Sequence, residues 1–425
     1  MKIIHYSLGF PPERTGGLVQ YVLQLAKEQK KLGHDVSIMY PGRINIAKRQ
    51  TYMQYATREE IKTIEIVNSL PLPLIGNIGD PRKYMTPIKS ESLKDFLLQE
   101  RPDVIHVHTL MGLFSEFLTV AREQNIKLVF TTHDYFGISP NPKFFLNGYD
   151  FAEDTENDIW EHVADFGTSV IKHRLLQTSM YPYLRRIAKF AKTTTIKVQA
   201  SNNKQFQKKN PEKIDKIFLK LKEYYSDMLL KFDVIHFNSN VAKNIYSNHL
   251  QLGSVRCETL YISSENICYD KSLKFTKNVI KKIAFIGPYT VAKGFDQFLE
   301  FAEKNYKLFD FVAMGDNRKI SNKYHVKNLG KFTRYELNYF LKDIDLVIVP
   351  SSWHETFGLV GLEATSRNVK TIVSTKVGFS DLLSDDFTFN ELSEINLKQI
   401  GLSTLNIEKI DNMSDHTAKI IDLYL

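Results

Sequence analysis

MKIIHYSLGFPPERTGGLVQYVLQLAKEQKKLGHDVSIMY, residues 1–40, contains one complete α/β unit. Lys2–Tyr6 is a short apolar run, Pro11–Gly17 is rich in turn residues, and Leu18–Leu32 repeats apolar residues at helical spacing. Gly33 stops that helix, and Val36–Tyr40 is apolar again. Strand, loop, helix, glycine and strand in this order form a βαβ unit, which calls for a parallel sheet. The rhythm recurs downstream. Asp103–His108 (DVIHVH) and Lys127–Thr132 (KLVFTT) flank a helical stretch at 113–124. Asp233–Asn238 (DVIHFN) supplies a late strand, followed by a helix from Val241.

The second half repeats the pattern independently. Lys282–Gly287 (KIAFIG), Phe309–Gly315, Asp345–Pro350 (DLVIVP) and Lys370–Ser374 read as strands. Asp296–Lys304, Thr333–Leu341 with a capping threonine, and Gly358–Arg367 read as helices between them. The expected fold is therefore α/β: two Rossmann-like domains facing across a cleft, at residues 1–255 and 280–410. A linker is expected near 255–280, with a last helix within 411–425 packing back on the first domain. Ligands of such sheets bind at the carboxyl ends of the strands.

Residues 140–225 fall outside this rhythm and read as an insertion in the first domain. It begins acidic, with Asp150, Glu153, Asp154, Glu156, Asp158, Glu161 and Asp165. Lys172–Lys209 then holds ten Lys or Arg and no Asp or Glu, while the whole chain carries a net charge of +8, so the basic excess is local. Aromatic and apolar residues of Met180–Phe190 interleave with Arg185, Arg186 and Lys189, and Lys192 follows. A cationic amphipathic stretch of this kind can lie on an anionic membrane, gaining roughly 1 kcal/mol per basic residue near the surface. The plainer alternative is the solvated face of a helical hairpin. No nucleic-acid recognition motif accompanies the charge.

Bulk composition bounds the rest. Of 425 residues, 43% are hydrophobic and 24% charged, which suits a globular chain with a proper core. No stretch approaches the roughly 18 apolar residues of a membrane-spanning helix. The N-terminus lacks the apolar run of a signal peptide. Cys257 and Cys268 are too few for a disulfide framework and show no ligand spacing with histidines, so a cytoplasmic setting is expected.

The densest motif is Pro350-Ser-Ser-Trp-His-Glu355-Thr-Phe-Gly-Leu-Val-Gly-Leu-Glu363-Ala. Free N–H groups at Phe357, Gly358 and Leu359, at the start of a helix, make an anion site. In a helix Glu355 and Glu363 would stand about 12 Å apart, farther than the ~5–9.5 Å of a carboxylate pair working on one glycosidic bond. The spacing suits a long ligand with phosphates in the middle and hydroxyls at both ends. Solvated helix-face charges are the alternative. A second phosphate element is Gly287-Pro-Tyr-Thr-Val-Ala-Lys293-Gly294, where Lys293 can neutralise a diphosphate. Gly16-Gly17 allows close backbone approach to a ligand after the first strand. His133 ends the Phe130–Asp134 strand at the carboxyl edge, with His106 and His108 on the neighbouring strand end. Asp343-Ile-Asp345 spells a metal-type D-x-D but sits just before a buried strand and reads as structural.

These motifs, in this order, resemble glycosyltransferase family 4 of the GT-B fold, over most of the chain except 140–225 and the tail. The E-x7-E signature falls on Glu355 and Glu363. Asn328-Leu-Gly330-Lys-Phe-Thr-Arg-Tyr-Glu336-Leu, Tyr339 and Asp345–Pro350 resemble the approach to it, and Val373-Ser-Thr-Lys-Val-Gly378 the segment after it. The resemblance implies a retaining transfer of a hexosyl unit from a nucleotide diphosphate sugar to an acceptor hydroxyl, with no metal and no other cofactor. Glu355 would hold the donor hexose and His133 would stand near the transferred sugar. Phe357, Gly358 and Leu359 would hold the distal phosphate through their N–H groups. Glu363 would bind the ribose, and backbone around Gly330–Phe332 would line the base. The glycine loop Gly16-Gly17 would face the phosphates. The pattern departs at Pro288, where the family usually carries an arginine. A non-catalytic GT-B partner of a sister transferase, or a sugar-nucleotide epimerase, therefore stays open. The acceptor implied is a lipid-linked glycan of bacterial surface polysaccharide, reached from the inner face of the membrane.

Overall fold

The computed structural model describes residues 1–48, 50–74, 78–154, 158–161, 169–175, 177, 216–267, 279–405, 407 and 410–425. Its first sheet is built from β1 (Lys2–Tyr6), β2 (Asp35–Pro41), β3 (Tyr52–Arg58), β4 (Ile61–Val67), β5 (Val104–Val107) and β6 (Lys127–Thr131). After a separate small hairpin, β7 (Phe145–Leu146) and β8 (Tyr149–Asp150), the sheet resumes with β9 (Val234–Phe237) and β10 (Arg256–Thr259). The spatial order is β10-β9-β6-β5-β1-β2-β4-β3, parallel throughout except for the β3–β4 pair. The second sheet holds β11 (Lys282–Ile286), β12 (Asp310–Met314), β13 (Val326–Gly330), β14 (Leu346–Val349), β15 (Lys370–Ser374) and β16 (Thr388–Phe389). Its order is β13-β12-β11-β14-β15-β16, all parallel.

Parallel strands covered on both faces must be apolar nearly throughout, and β1, β5, β6, β9 and β14 are. The aspartates that precede three of them lie just outside the strands and cap their neighbours. Asp103 accepts the N–H of Lys2, Asp233 that of Leu128, and Asp345 those of Lys281 and Lys282. Asp345 thus caps a strand start through Oδ2, in keeping with a structural part for the D-x-D.

Chain order in both sheets reverses at the first strand. β1 lies between β2 and β5, and β11 between β12 and β14. Each reversal opens a crevice at the carboxyl ends, and the two crevices face each other. Hydrogen bonds hold the walls together. Thr356 Oγ1 donates to the His133 carbonyl (3.1 Å) and Ser239 Oγ to the Thr356 carbonyl (2.6 Å). Asn240 N–H donates to Asp381 (2.6 Å), and Asp150 bonds both His354 Nδ1 (2.8 Å) and Lys376 Nζ (3.0 Å). Burial alone would raise the Asp150 carboxyl. The bonds and charges of His354 and Lys376 outweigh that and hold it below its usual range.

The C-terminal helix, Met413–Asp422, packs against the first helix, Gly17–Lys31. Tyr21 OH meets His416 Nε2 at 2.7 Å, and Gln29 Nε2 donates to Tyr424 OH at 2.9 Å. The chain therefore returns to the first domain after completing the second. The insertion is described at its two ends. Helices Val170–Leu175 and Lys216–Leu229 belong to it, and Trp160 is wholly buried with its indole N–H on the Ile138 carbonyl. Arg185, Arg186, Lys189 and Lys192 lie outside the described residues. Among the described residues no helix is long and apolar enough to cross a membrane.

Candidate functional site

A cavity of about 360 Å³ lies where the two crevices meet, between Gly17, His133 and Asn238 on one wall and Lys293, Glu355 and Phe357–Leu359 on the other. The second wall is made by two loops pressed together. Gly294 has φ 66°, and a Cβ there would stand 1.6 Å from the Pro350 carbonyl oxygen. Only glycine lets the loop after β11 touch the loop after β14. Gly378 permits a similar contact after β15, since its Cβ would fall 2.3 Å from the Thr356 carbonyl oxygen. These contacts bring Lys293 to Glu355. Lys293 Nζ donates to Glu355 Oε2 at 2.7 Å, and Ser351 Oγ donates to the other carboxylate oxygen. Glu355 is 5% exposed, and Lys293 Nζ also stands 5.8 Å from the centre of the Trp353 ring.

Beyond Glu355 the backbone turns through Gly358 at φ 86° into the short helix Leu359–Thr365. First-turn N–H groups have no intrahelical acceptor, so Gly358 and Leu359 present donors to the cavity they line. Gly17 lines the facing wall with open space about its Cα.

Three expected residues stand apart from this wall. Gly16, Gly330 and Glu363 are not among those that line the cavity. Gly330 N–H donates to Asn328 Oδ1 and its carbonyl accepts from Gly315 N–H, while Lys331 N–H donates to Asn317. The N–H groups of Gly330 and Lys331 are therefore bonded within the protein. Glu363 sits on the helix Leu359–Thr365, half-buried, with its backbone carbonyl taken by Arg367.

The site also holds residues that sequence reasoning missed. Asn238, at the end of β9, is wholly buried at the cavity wall, and neither its amide nitrogen nor its oxygen has a partner among the described residues. Its signal was the polar residue closing an apolar strand, DVIHFN. Trp353 Nε1 is likewise unpartnered among the described residues. The place of the family's arginine, Pro288, has no cation of its own. Arg318 reaches the adjacent Tyr289 carbonyl but is paired with Asp316 at 2.9 Å. Lys143 is near enough to feel both Lys293 and Glu355. Desolvation and then the charge of Lys293 hold its ammonium below the usual range.

The first wall is lined behind by histidines. His5, His106, His108 and His236 are wholly buried, and His133 closes the row at the cavity. Burial pushes His5 and His236 down to about 4 and His133 to about 3, so these rings are neutral at physiological pH. Ligand atoms of His5, His106 and His108 lie within 4.8 Å of one another, close enough to be compared with a metal site. Both nitrogens of His106, however, already have partners in Tyr424 OH (2.8 Å) and Thr131 Oγ1 (2.6 Å).

Comparison with known proteins converges on one family. The model for Glycosyltransferase Family 4 matches residues 15–194, and that for Family 4 Glycosyltransferase in conflict systems matches residues 331–422. Over 99% of both chains, the sequence is 21% identical to an uncharacterized 42.6 kDa protein in the cps region of Klebsiella pneumoniae. Among solved structures it is similar to an α,α-trehalose-phosphate synthase (UDP-forming) from Burkholderia xenovorans in complex with glucose-6-phosphate. That match has a TM-score of 0.54 at 12% identity, covering 100% of both chains. The catalytic domain of starch synthase IV from Arabidopsis thaliana, bound to ADP and acarbose, matches with a TM-score of 0.52 at 14% identity, covering 99% of this chain and 98% of that one. The two facing sheets are the GT-B fold, and both halves of the chain match models of glycosyltransferase family 4.

Proposed function

We propose that this transferase moves a hexosyl unit from a nucleotide diphosphate sugar to an acceptor hydroxyl with retention of configuration. The observation that carries the reading is the Lys293–Glu355 pair, held by Gly294 and Gly378 at the meeting point of the two crevices. Lys293 is a cation placed for a diphosphate, and Glu355 is an acceptor placed for sugar hydroxyls. With donor bound, Lys293 passes from Glu355 to the phosphates, and Glu355 is released toward the hexose. The bond from the anomeric carbon to the phosphate oxygen breaks and the acceptor oxygen bonds on the same face. The acceptor's proton goes to the departing phosphate. Positioning and electrostatic support of that phosphate supply the rate, and no step requires a metal.

The solved relatives whose names include UDP, ADP and sugar ligands suit such a donor. A relative named for its place in a cps region suits surface-polysaccharide synthesis, with a lipid-linked glycan as acceptor at the inner face of the membrane. Pro288 favours a second reading, a non-catalytic partner, since it removes one of two expected cations. The two separate in a transfer assay over UDP-, ADP- and GDP-sugars with a chelator present. Transfer to added acceptor supports the enzyme. Binding without turnover selects the partner reading, and activity restored only by manganese or magnesium overturns metal-free chemistry.

For the membrane, the purified chain is expected to bind vesicles containing anionic lipid and not neutral ones, less so as salt screens the charges. Gln at Arg185, Arg186, Lys189 and Lys192 should release it. Equal binding to both vesicle types would remove the membrane from the account.

A further inference from the structure

Behind His133 runs a chain of hydrogen bonds whose direction is set at its far end. His236 Nε2 lies 2.7 Å from the carbonyl oxygen of Leu260, an atom that can only accept. Nε2 therefore carries the proton, and in a neutral ring Nδ1 must accept. It does so from Thr131 Oγ1 at 2.9 Å. With its one proton committed, Thr131 accepts from His106 Nε2 at 2.6 Å, and His106 Nδ1 accepts from Tyr424 OH at 2.8 Å. Tyr424 then accepts from the Gln29 amide nitrogen at 2.9 Å, which turns Gln29 Oε1 toward His5 Nε2 at 2.6 Å. His5 Nδ1 accepts from His108 Nε2 at 3.0 Å, and His108 Nδ1 from His133 Nε2 at 3.2 Å.

Every donor meets an acceptor, and reversing any link leaves two lone pairs or two protons facing each other elsewhere in a buried row. The cost of one such mismatch is about 1–3 kcal/mol. A flipped Gln29 amide would need a second proton on Tyr424, whose only one is spent on His106. The one ring nitrogen of the row left without a partner among the described residues is His133 Nδ1, on the residue that lines the donor cavity.

We infer that Tyr424, Gln29, His5 and His108 are positioning residues that lock His133 in its Nε2–H tautomer, so that Nδ1 faces the donor cleft solely as an acceptor for a sugar hydroxyl. The chain is a clamp and not a proton relay, because it ends on a backbone carbonyl that cannot take up a proton. It ties the C-terminal residues to the donor site's specificity: a sugar is taken with a hydroxyl pointing its proton at His133. This deepens the proposed function, and only the hydroxyl's role rests on it.

The test is a long-range ¹H–¹⁵N correlation spectrum of the full chain with ¹⁵N-labelled histidine at neutral pH, His133 being assigned by its loss in His133→Gln. In the wild type, His5, His106, His108, His133 and His236 should all carry the proton on Nε2. Tyr424→Phe frees the Gln29 amide, so His5, His108 and His133 should become tautomer mixtures, while His106 and His236, still anchored on Leu260, should not change. A general packing defect would not divide the row in this way. A wild-type His133 protonated on Nδ1 overturns the inference, as does a Tyr424→Phe chain in which all five keep their tautomers. A stoichiometric zinc ion, lost in His5→Ala, overturns it too, because it would need the lone pairs the chain uses. UDP-glucose, UDP-galactose and GDP-mannose are then titrated with calorimetry alongside. A sugar nucleotide that binds should shift the His133 Nδ1 signal and should bind Tyr424→Phe ~2- to 10-fold more weakly, the worth of one hydrogen bond. Binding without a shift overturns the acceptor role. If none binds, the tautomer results still decide the lock, and the donor reading is what falls.

Discussion

The two walls of the cleft solve the same problem by different means. The second-domain wall works with formal charge and bare backbone: a lysine, a buried glutamate and glycines that admit close contact. The first-domain wall carries a buried row of neutral rings and hydroxyls joined by hydrogen bonds. Charge suits a diphosphate, which brings two or more negative charges. A neutral, directional surface suits a hexose, which offers only hydroxyls. On the proposed reading, a cation on the first wall would compete for phosphate at the sugar's place, and burial keeps these histidines unprotonated.

Acid is the strongest way to break this difference. His5, His106, His108, His133, His236 and His416 all have folded-state values pushed below the usual 6.5 by burial. The unfolded chain therefore binds protons that the folded one refuses, and stability rises with pH between the folded and unfolded values. Asp134, pushed up to about 7 by burial, acts the opposite way, as do Asp296 and Asp381, also raised by burial, but these three are outnumbered by the six histidines. Urea midpoints should fall from about pH 6.5 to pH 5, each histidine costing up to about 1.4 kcal/mol per pH unit. A flat profile over that window would mean the row is not neutral and buried as described.

Asn238 sharpens the comparison with a smaller effect. Its amide is buried at the cavity wall and unpartnered among the described residues, so Asn238→Ala should leave the thermal midpoint of the free protein unchanged or slightly higher. Ligand affinity should still fall by about tenfold, since burying an unmet polar group costs what a bond to ligand would recover. Lost stability with unchanged affinity would make Asn238 a structural residue.

The second wall was the more legible in the sequence. Lys293, Glu355, Phe357, Gly358 and Leu359 lie in two short segments, each near its partners in the chain, and loop motifs carry them. The first wall gathers residues from β1, β5, β6, β9 and the C-terminus, which only the fold brings together. Its signal was a histidine recurring in equivalent strands, Ile3-Ile4-His5, Val104-Ile105-His106 and Val234-Ile235-His236. The β3–β4 hairpin had no signal. Its turn residues Glu59 and Glu60 have φ 49° and 62°, where asparagine and glycine are usual. Lys27, at 2.7 Å from the Glu59 carboxylate, and Lys30, on the Glu60 carbonyl, pin the turn from the first helix. Tertiary anchors of this kind leave no local pattern. Glu363 and Gly330 show the converse, motif residues that lie off the cavity wall.

The division of labour between the walls is tested most directly by calorimetry on Lys293→Ala against the wild type, with UDP, ADP and GDP compared with uridine, adenosine and guanosine. The diphosphate that binds the wild type is expected to lose at least about tenfold in affinity, the worth of a charged hydrogen bond, while its nucleoside is unaffected. Equal weakening of diphosphate and nucleoside, or no change in either, would contradict the claim that Lys293 and Glu355 mark the diphosphate-sugar site.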